Sequence, residues 1–251
     1  MRFRPCIDLH GGVVKQIVGS SLQDSDEGLQ TNFVASQSPA YFAGLYRADG
    51  LSGGHVIMLG PGNESAAREA LAAYPGGLQI GGGITADNAR EWLAAGADKV
   101  IITSYIFPEH EFSLPRLQAL GRLLPPDQLV LDLSCRRRGD EYVVACNRWQ
   151  NDTSLLLQRS TLQQLSAFCS EFLIHAVDVE GKQSGIDLDL VKLLAQDCPL
   201  PVTYAGGIRS LADIEAIRQT GQGRIDFTVG SALDIFGGKF LRYADLRKFC
   251  H

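Results

Sequence analysis

Short, almost wholly apolar runs alternate along the chain with longer stretches in which apolar residues recur every three or four positions. Runs near residues 4–9, 55–59, 78–80, 99–103, 128–133, 172–177, 202–205 and 226–229 read as buried strands. Residues 38–48, 65–74, 85–95, 114–124, 189–195 and 210–220 have the helical period. Pro125 and Pro126 end the fourth helix. Glu64 and Ser65 offer caps for the second, and the spacing Ser210 to Asp213 predicts a capping box on the last. Residues 10–37 are mostly polar and predict a long loop carrying Gly11, Gly12, Lys15 and an acidic patch at 24–27. Residues 141–145 and 149–157, parted by Cys146, Asn147 and Arg148, predict a hairpin leaving the barrel after the fifth strand. Strands alternating with helices predict an α/β fold with a parallel sheet, and eight of them predict closure into a (β/α)8 TIM barrel, one domain over residues 1–251. An open, doubly wound sheet is the competing architecture.

One stretch occurs twice, which the open sheet explains less well. Leu78-Gln-Ile-Gly-Gly-Gly-Ile-Thr leads into a helical run and a strand closing on Thr103-Ser104. Val202-Thr-Tyr-Ala-Gly-Gly-Ile-Arg leads into another, closing on Gly230-Ser231. Gly82, Gly83 and Ile84 map onto Gly206, Gly207 and Ile208 at an offset of 124 residues. Asp8 and Asp132, each near the end of an apolar strand, are separated by the same 124. The chain therefore reads as two similar half-barrels, about 1–124 and 125–251.

Glycines after a strand let a ligand approach the backbone, and amides at a helix start attract phosphate. A single glycine turn would be explained by tight chain reversal alone. Two, each beside a strand ending in Thr-Ser or Gly-Ser, predict two phosphate cradles and a ligand with a phosphate at each end. A carboxylate is costly to bury beside apolar neighbours unless it is paired or used. One in each half places a candidate acid and a candidate base on either side of such a ligand.

Bulk properties narrow the partners. A hydrophobic content of 45% in 251 residues supports a sizeable core, and no apolar run approaches the 18 or more residues of a membrane span. The net charge of −5 argues against a nucleic-acid surface. The six cysteines are scattered without a Cys-x-x-Cys pair or a His cluster, so they predict reduced thiols and not a zinc site or a disulfide frame. With no tripartite leader before the first strand, a cytoplasmic monomer acting on a small bisphosphate is expected.

Arg4-Pro-Cys-Ile-Asp-Leu-His-Gly-Gly, both glycine turns, Val130-Leu-Asp-Leu-Ser, Arg148-Trp-Gln and His175-Ala-Val-Asp-Val-Glu-Gly resemble the ProFAR isomerase family of histidine biosynthesis. The likeness extends to Gly230-Ser-Ala-Leu-Asp-Ile-Phe-Gly-Gly and is greatest to the fungal and plant branch. It implies an Amadori rearrangement in which an aminoaldose ring opens to an aminoketose, with no metal or organic cofactor. By resemblance Asp8 is the general base at C2 of the sugar, and Asp132 is the general acid at the ring oxygen. Gly82, Gly83, Thr103, Ser104, Gly206, Gly207, Gly230 and Ser231 would hold the phosphates, and Trp149 would stack on the aminoimidazole carboxamide. Bacterial members end the sixth strand with a catalytic Thr where this chain has His175, which suits a role in holding substrate hydroxyls or tuning Asp132, or equally a satisfied core histidine. The Arg136-Arg137-Arg138 run reads as solvated loop, with ligand contact as the alternative. Two rivals remain. The cyclase subunit of imidazole glycerol phosphate synthase shares the barrel and both aspartates but lacks the Trp149 hairpin and the His175 block. A non-catalytic phosphate-binding barrel should have lost an aspartate.

Overall fold

The computed structural model describes residues 1–18, 30–147, 149–182 and 184–250. Eight parallel strands form the barrel among these residues: β1 (Cys6–His10), β4 (Gly54–Met58), β5 (Leu78–Gly81), β6 (Val100–Ile102), β7 (Leu129–Asp132), β11 (Glu171–His175), β12 (Val202–Ala205) and β13 (Ile225–Phe227). Each pairs in parallel with the next. The ring closes where Arg4 N donates to Phe227 O at 2.8 Å and Phe227 N to Arg2 O at 3.0 Å. Helices α1 (Pro39–Ala48), α2 (Glu64–Ala73), α3 (Ala89–Ala94), α4 (Leu114–Leu123), α6 (Leu188–Asp197) and α7 (Leu211–Thr220) fall between strands, as the periodicity predicts. Helix α5 (Arg159–Leu165) was not evident from the pattern.

Because side chains alternate along a strand, the sheet sorts them into two populations. Ile7, Leu9, Val56, Leu78, Ile80, Val100, Leu129, Leu131, Phe172 and Tyr204 are buried in the large outer core shared with the helices. Ile101, Val130, Leu173 and Ala205, with Ile57 against them, make a small separate cluster inside the barrel. On the N-terminal side the interior is ionic. Gln79 Nε2 donates to Glu171 Oε1 at 3.0 Å, and Lys99 Nζ lies 3.2 Å from Glu171 Oε2. Arg4 Nε donates to Asp226 Oδ2 at 2.8 Å, and Arg2 N to Asp226 Oδ1 at 2.6 Å. Removing one partner of a buried pair strands the other charge. Asp226→Ala should therefore destabilise the protein by about 3–5 kcal/mol in urea unfolding, since Arg4 is only 5% exposed. A loss below about 1 kcal/mol would place the pair with ordinary surface bridges.

Several local expectations need correction. Residues 10–37 are not one long loop. Gly11 (φ 61°) and Gly12 (φ 78°) turn the chain into β2 (Val13–Ile17), antiparallel to β1, and β3 (Thr31–Val34) pairs with β2. Two successive positive-φ residues favour a tight hairpin, so the Gly-Gly pair was a turn signal. The acidic patch at 24–27 lies outside the described residues. Helix α3 starts at Ala89 and not near Thr85, because the Asn88 side chain accepts from Thr85 N at 2.9 Å and donates to Gly83 O at 3.0 Å, holding a turn there. Helix α2 begins after Asn63, whose side chain makes no cap bond and instead accepts from Gly12 N and donates to Gly60 O, both at 2.9 Å. The arginine run is not loop. It forms β8 (Cys135–Arg138), which joins β9 (Glu141–Cys146) and β10 (Asn151–Leu156) in a three-stranded sheet. The capping box of α7 is present, with Asp213 N donating to Ser210 Oγ at 3.1 Å and Ser210 N to Asp213 Oδ2 at 3.0 Å.

Candidate active site

A cavity of about 480 Å³ opens at the C-terminal ends of the barrel strands. Active sites of this architecture lie there because the βα-loops converge on that face. Asp8, Gly82, Gly83, Thr103, Ser104, Asp132, Trp149, His175, Gly206, Gly207, Gly230 and Ser231 all line it. The strand order fixes their arrangement. The turns after β5 and β6 sit together, as do those after β12 and β13, and two strands separate the pairs on either side. One gap holds β1 and β4 with Asp8, and the other holds β7 and β11 with Asp132 and His175.

The two aspartates occupy different surroundings. Burial pushes the Asp8 carboxyl above its ordinary value, opposed by a hydrogen bond from Gln16 and by the nearby His175. Gln16 Nε2 donates to Asp8 Oδ2 at 2.8 Å. Asp132 Oδ1 accepts from Ser134 Oγ at 2.8 Å and lies 3.3 Å from His175 Nδ1. Burial works against the charged imidazolium of His175, but the charge and hydrogen bond of Asp132 outweigh it, and its pKa rises to about 9. At neutral pH that pair therefore holds a proton beside the cavity, across from Asp8, whose carboxyl burial raises. Carboxylates whose environments differ in this way can divide acid and base roles. His55, in the same cavity, is kept neutral by burial, with its pKa lowered to about 3.

The raised His175 value links folding to pH. A His whose pKa rises on folding adds stability that is complete below the unfolded value of 6.5 and vanishes as pH climbs through about 9. His175→Gln should accordingly cost more stability below pH 6.5 than above about pH 9, measured as urea midpoints at both. A pH-independent difference would mean that the ring is neutral in the folded protein.

Trp149 lies in the turn between β9 and β10 with φ at 65°, its ring centroid 5.6 Å from that of His175. Arg136 donates to its carbonyl oxygen. The arginines otherwise brace the excursion, Arg136 and Arg138 against Asp152 and Arg137 against Asp189. Arg148 of the Arg-Trp-Gln block lies outside the described residues. At α7 the amides of Ser210 and Asp213 are taken up by the capping box, and Arg209 N donates to Asp213 Oδ2.

Among the cavity residues that the sequence reading did not single out are Gln16, Ser134 and Glu180. Ser134 follows Asp132 by two and so shares its face, a signal that strand alternation offered. Glu180 stands in the block that begins at His175, and burial raises its carboxyl while His175 opposes that rise.

The geometry defines a (β/α)8 barrel with a cavity at its C-terminal mouth that Asp8, Asp132 and His175 line. The model of the histidine biosynthesis protein family matches residues 2–240, and the chain belongs to that family. A Neurospora crassa protein is 58% identical over 241 residues, covering 95% of this chain and 94% of its own. A Medicago truncatula protein is 51% identical, covering 98% of this chain and 80% of its own, and a Saccharomyces cerevisiae protein is 46% identical, covering 97% and 96%. All three carry the name 1-(5-phosphoribosyl)-5-((5-phosphoribosylamino)methylideneamino)imidazole-4-carboxamide isomerase, the Medicago protein with the addition "chloroplastic". No helix among the described residues is long and apolar enough to cross a membrane.

Proposed function

We propose that this isomerase of histidine biosynthesis converts the aminoaldose ProFAR to the aminoketose PRFAR by an Amadori rearrangement, with Asp8 as base and Asp132, together with His175, as acid. The carrying observation is the placement of two unlike carboxylates in one cavity, between two pairs of small-residue turns. The acid protonates the ring oxygen as the C1–O bond breaks and the amine lone pair forms a C=N bond. Asp8 then takes the proton from C2, the electrons return to nitrogen, and the resulting enaminol tautomerises to the ketone, restoring a proton to carbon at C1. Net composition is unchanged, as an isomerisation requires. The phosphates dock at Gly82-Gly83 with Thr103-Ser104 and at Gly206-Gly207 with Gly230-Ser231, and Trp149 covers the aminoimidazole carboxamide. The reaction needs no partner chain, and we place it in the cytoplasm with the protein as a monomer.

The test is spectrophotometric turnover of the bisphosphate by the isolated chain without ammonia or a glutaminase. Conversion of ProFAR under those conditions supports the isomerase. Turnover only of the ketose product, and only with ammonia, would identify a cyclase instead.

A further inference from the structure

We propose that Gln16 is a positioning residue that aims Asp8 and ties it to the turn at Gly230 and Ser231. It rests on the reading of Asp8 as the base. Gln16 comes from β2, is 5% exposed, and spans two functional elements with its two amide atoms. Its Nε2 donates to Asp8 Oδ2 at 2.8 Å and lies 3.9 Å from Cys6 Sγ. Its Oε1 lies against Gly230, where an added Cβ would come within 2.3 Å of it. Gly230 does not adopt a left-handed φ, so its backbone suits any residue. What excludes a side chain at Gly230 is Gln16. The same amide thus packs on the turn expected to meet one phosphate and holds one oxygen of the base, leaving the other oxygen for the substrate. A shift of that turn on phosphate binding would be passed to Asp8 through a single planar group.

The bond favours the charged form of Asp8, and its loss favours the protonated form. The other groups around Asp8 are Cys6 on its own strand, Tyr46 of α1 behind it, His175 at the end of β11, Glu180 in the next loop and the neutral His55 on β4. Of these, the Cys6 thiol also lends Asp8 a hydrogen bond, but it favours the charged form less than the Gln16 amide does.

The experiment is the pH profile of kcat/KM for Gln16→Met, Gln16→Glu, Gly230→Ala and the Gln16→Met/Gly230→Ala double variant, beside Asp8→Asn. The acid limb reports the base in the free enzyme. In Gln16→Met it should move to higher pH, with about a tenfold loss below the limb and recovery above it. Gln16→Glu keeps the shape and polarity of the native side chain, so it serves if the Met variant misfolds, and it should move the limb further by facing Asp8 with a second carboxylate. Gly230→Ala should move the limb in the same direction by displacing the amide, and the double variant should move it no further than Gln16→Met alone. A uniform loss with the limb unmoved in both Gln16 variants, while Asp8→Asn is inactive, overturns the positioning role. Near-normal turnover by Asp8→Asn would instead remove the reading of Asp8 itself.

Discussion

Asp8→Asn should lower kcat by a factor on the order of 10² to 10⁴ while leaving KM nearly unchanged. The substitution is isosteric, and the Asn carbonyl oxygen can still accept from Gln16, so the cavity keeps its shape while losing its proton acceptor. Asp132→Asn should cost a comparable factor by a different route. His175 owes its pKa of about 9 to the charge and hydrogen bond of Asp132, against the pull of burial. Without that charge the imidazolium loses its largest support, with Glu180 and Asp8 left to hold it against burial, so the proton beside the cavity is bound less firmly. The two variants should therefore differ in their pH profiles. Asp8→Asn removes the acid limb set by the base, whereas Asp132→Asn confines its residual activity to lower pH, where His175 can still be protonated. Steady-state kinetics across that range check both, and near-normal turnover in either variant takes that residue out of the mechanism.

The features readable in the sequence were those written in local pattern or in repetition. Strands such as β5 and β12 are wholly buried, so each appeared as an apolar run followed by glycines, and the repeat at offset 124 made both turns visible. The same repeat singled out Asp8 and Asp132, which would otherwise look like any strand-end carboxylate. Gln16 was hidden because its meaning depends on β2 folding back along β1, a pairing set by Gly11 and Gly12 and by burial of Val14. In a half-polar stretch such alternation is weak. The arginine run was misread for a related reason. Its partners Asp152 and Asp189 come from β10 and α6, and only the tertiary structure brings them near. Asn88 shortened α3 through side-chain bonds that compete with the helix, an effect that helical periodicity does not carry.

Removing either phosphate from the substrate should lower kcat/KM by several orders of magnitude, about 10²- to 10⁴-fold, and much of that loss should fall on kcat. The reason lies in the order of strands. The turns after β5 and β6 and those after β12 and β13 face one another across the mouth, with Asp8 in one gap and Asp132 in the other. A ligand anchored at both ends has its reacting sugar held between the carboxylates, whereas one anchored at a single end can pivot away from both. Binding energy from the remote phosphates is thus used to align the reacting carbon, and its loss appears in the chemical step. The glycines allow an independent check, but not equally. A Cβ on Gly207 would lie 2.0 Å from the carbonyl oxygen of Gly185, so substitution there disturbs the fold itself. At Gly83 nothing stands within 4 Å, and the only structural cost is the strain of its φ of 71°, about 1–3 kcal/mol. Gly83→Val should therefore fold, yet its side chain would stand in the cavity where the phosphate must approach the backbone. It should impair the full substrate about as much as removing that phosphate does, and should scarcely affect the analogue that already lacks it. Kinetics with both mono-phosphate analogues on the native protein and on Gly83→Val decide the matter. If either analogue reacts as well as the bisphosphate, the turn at the corresponding end serves only to reverse the chain.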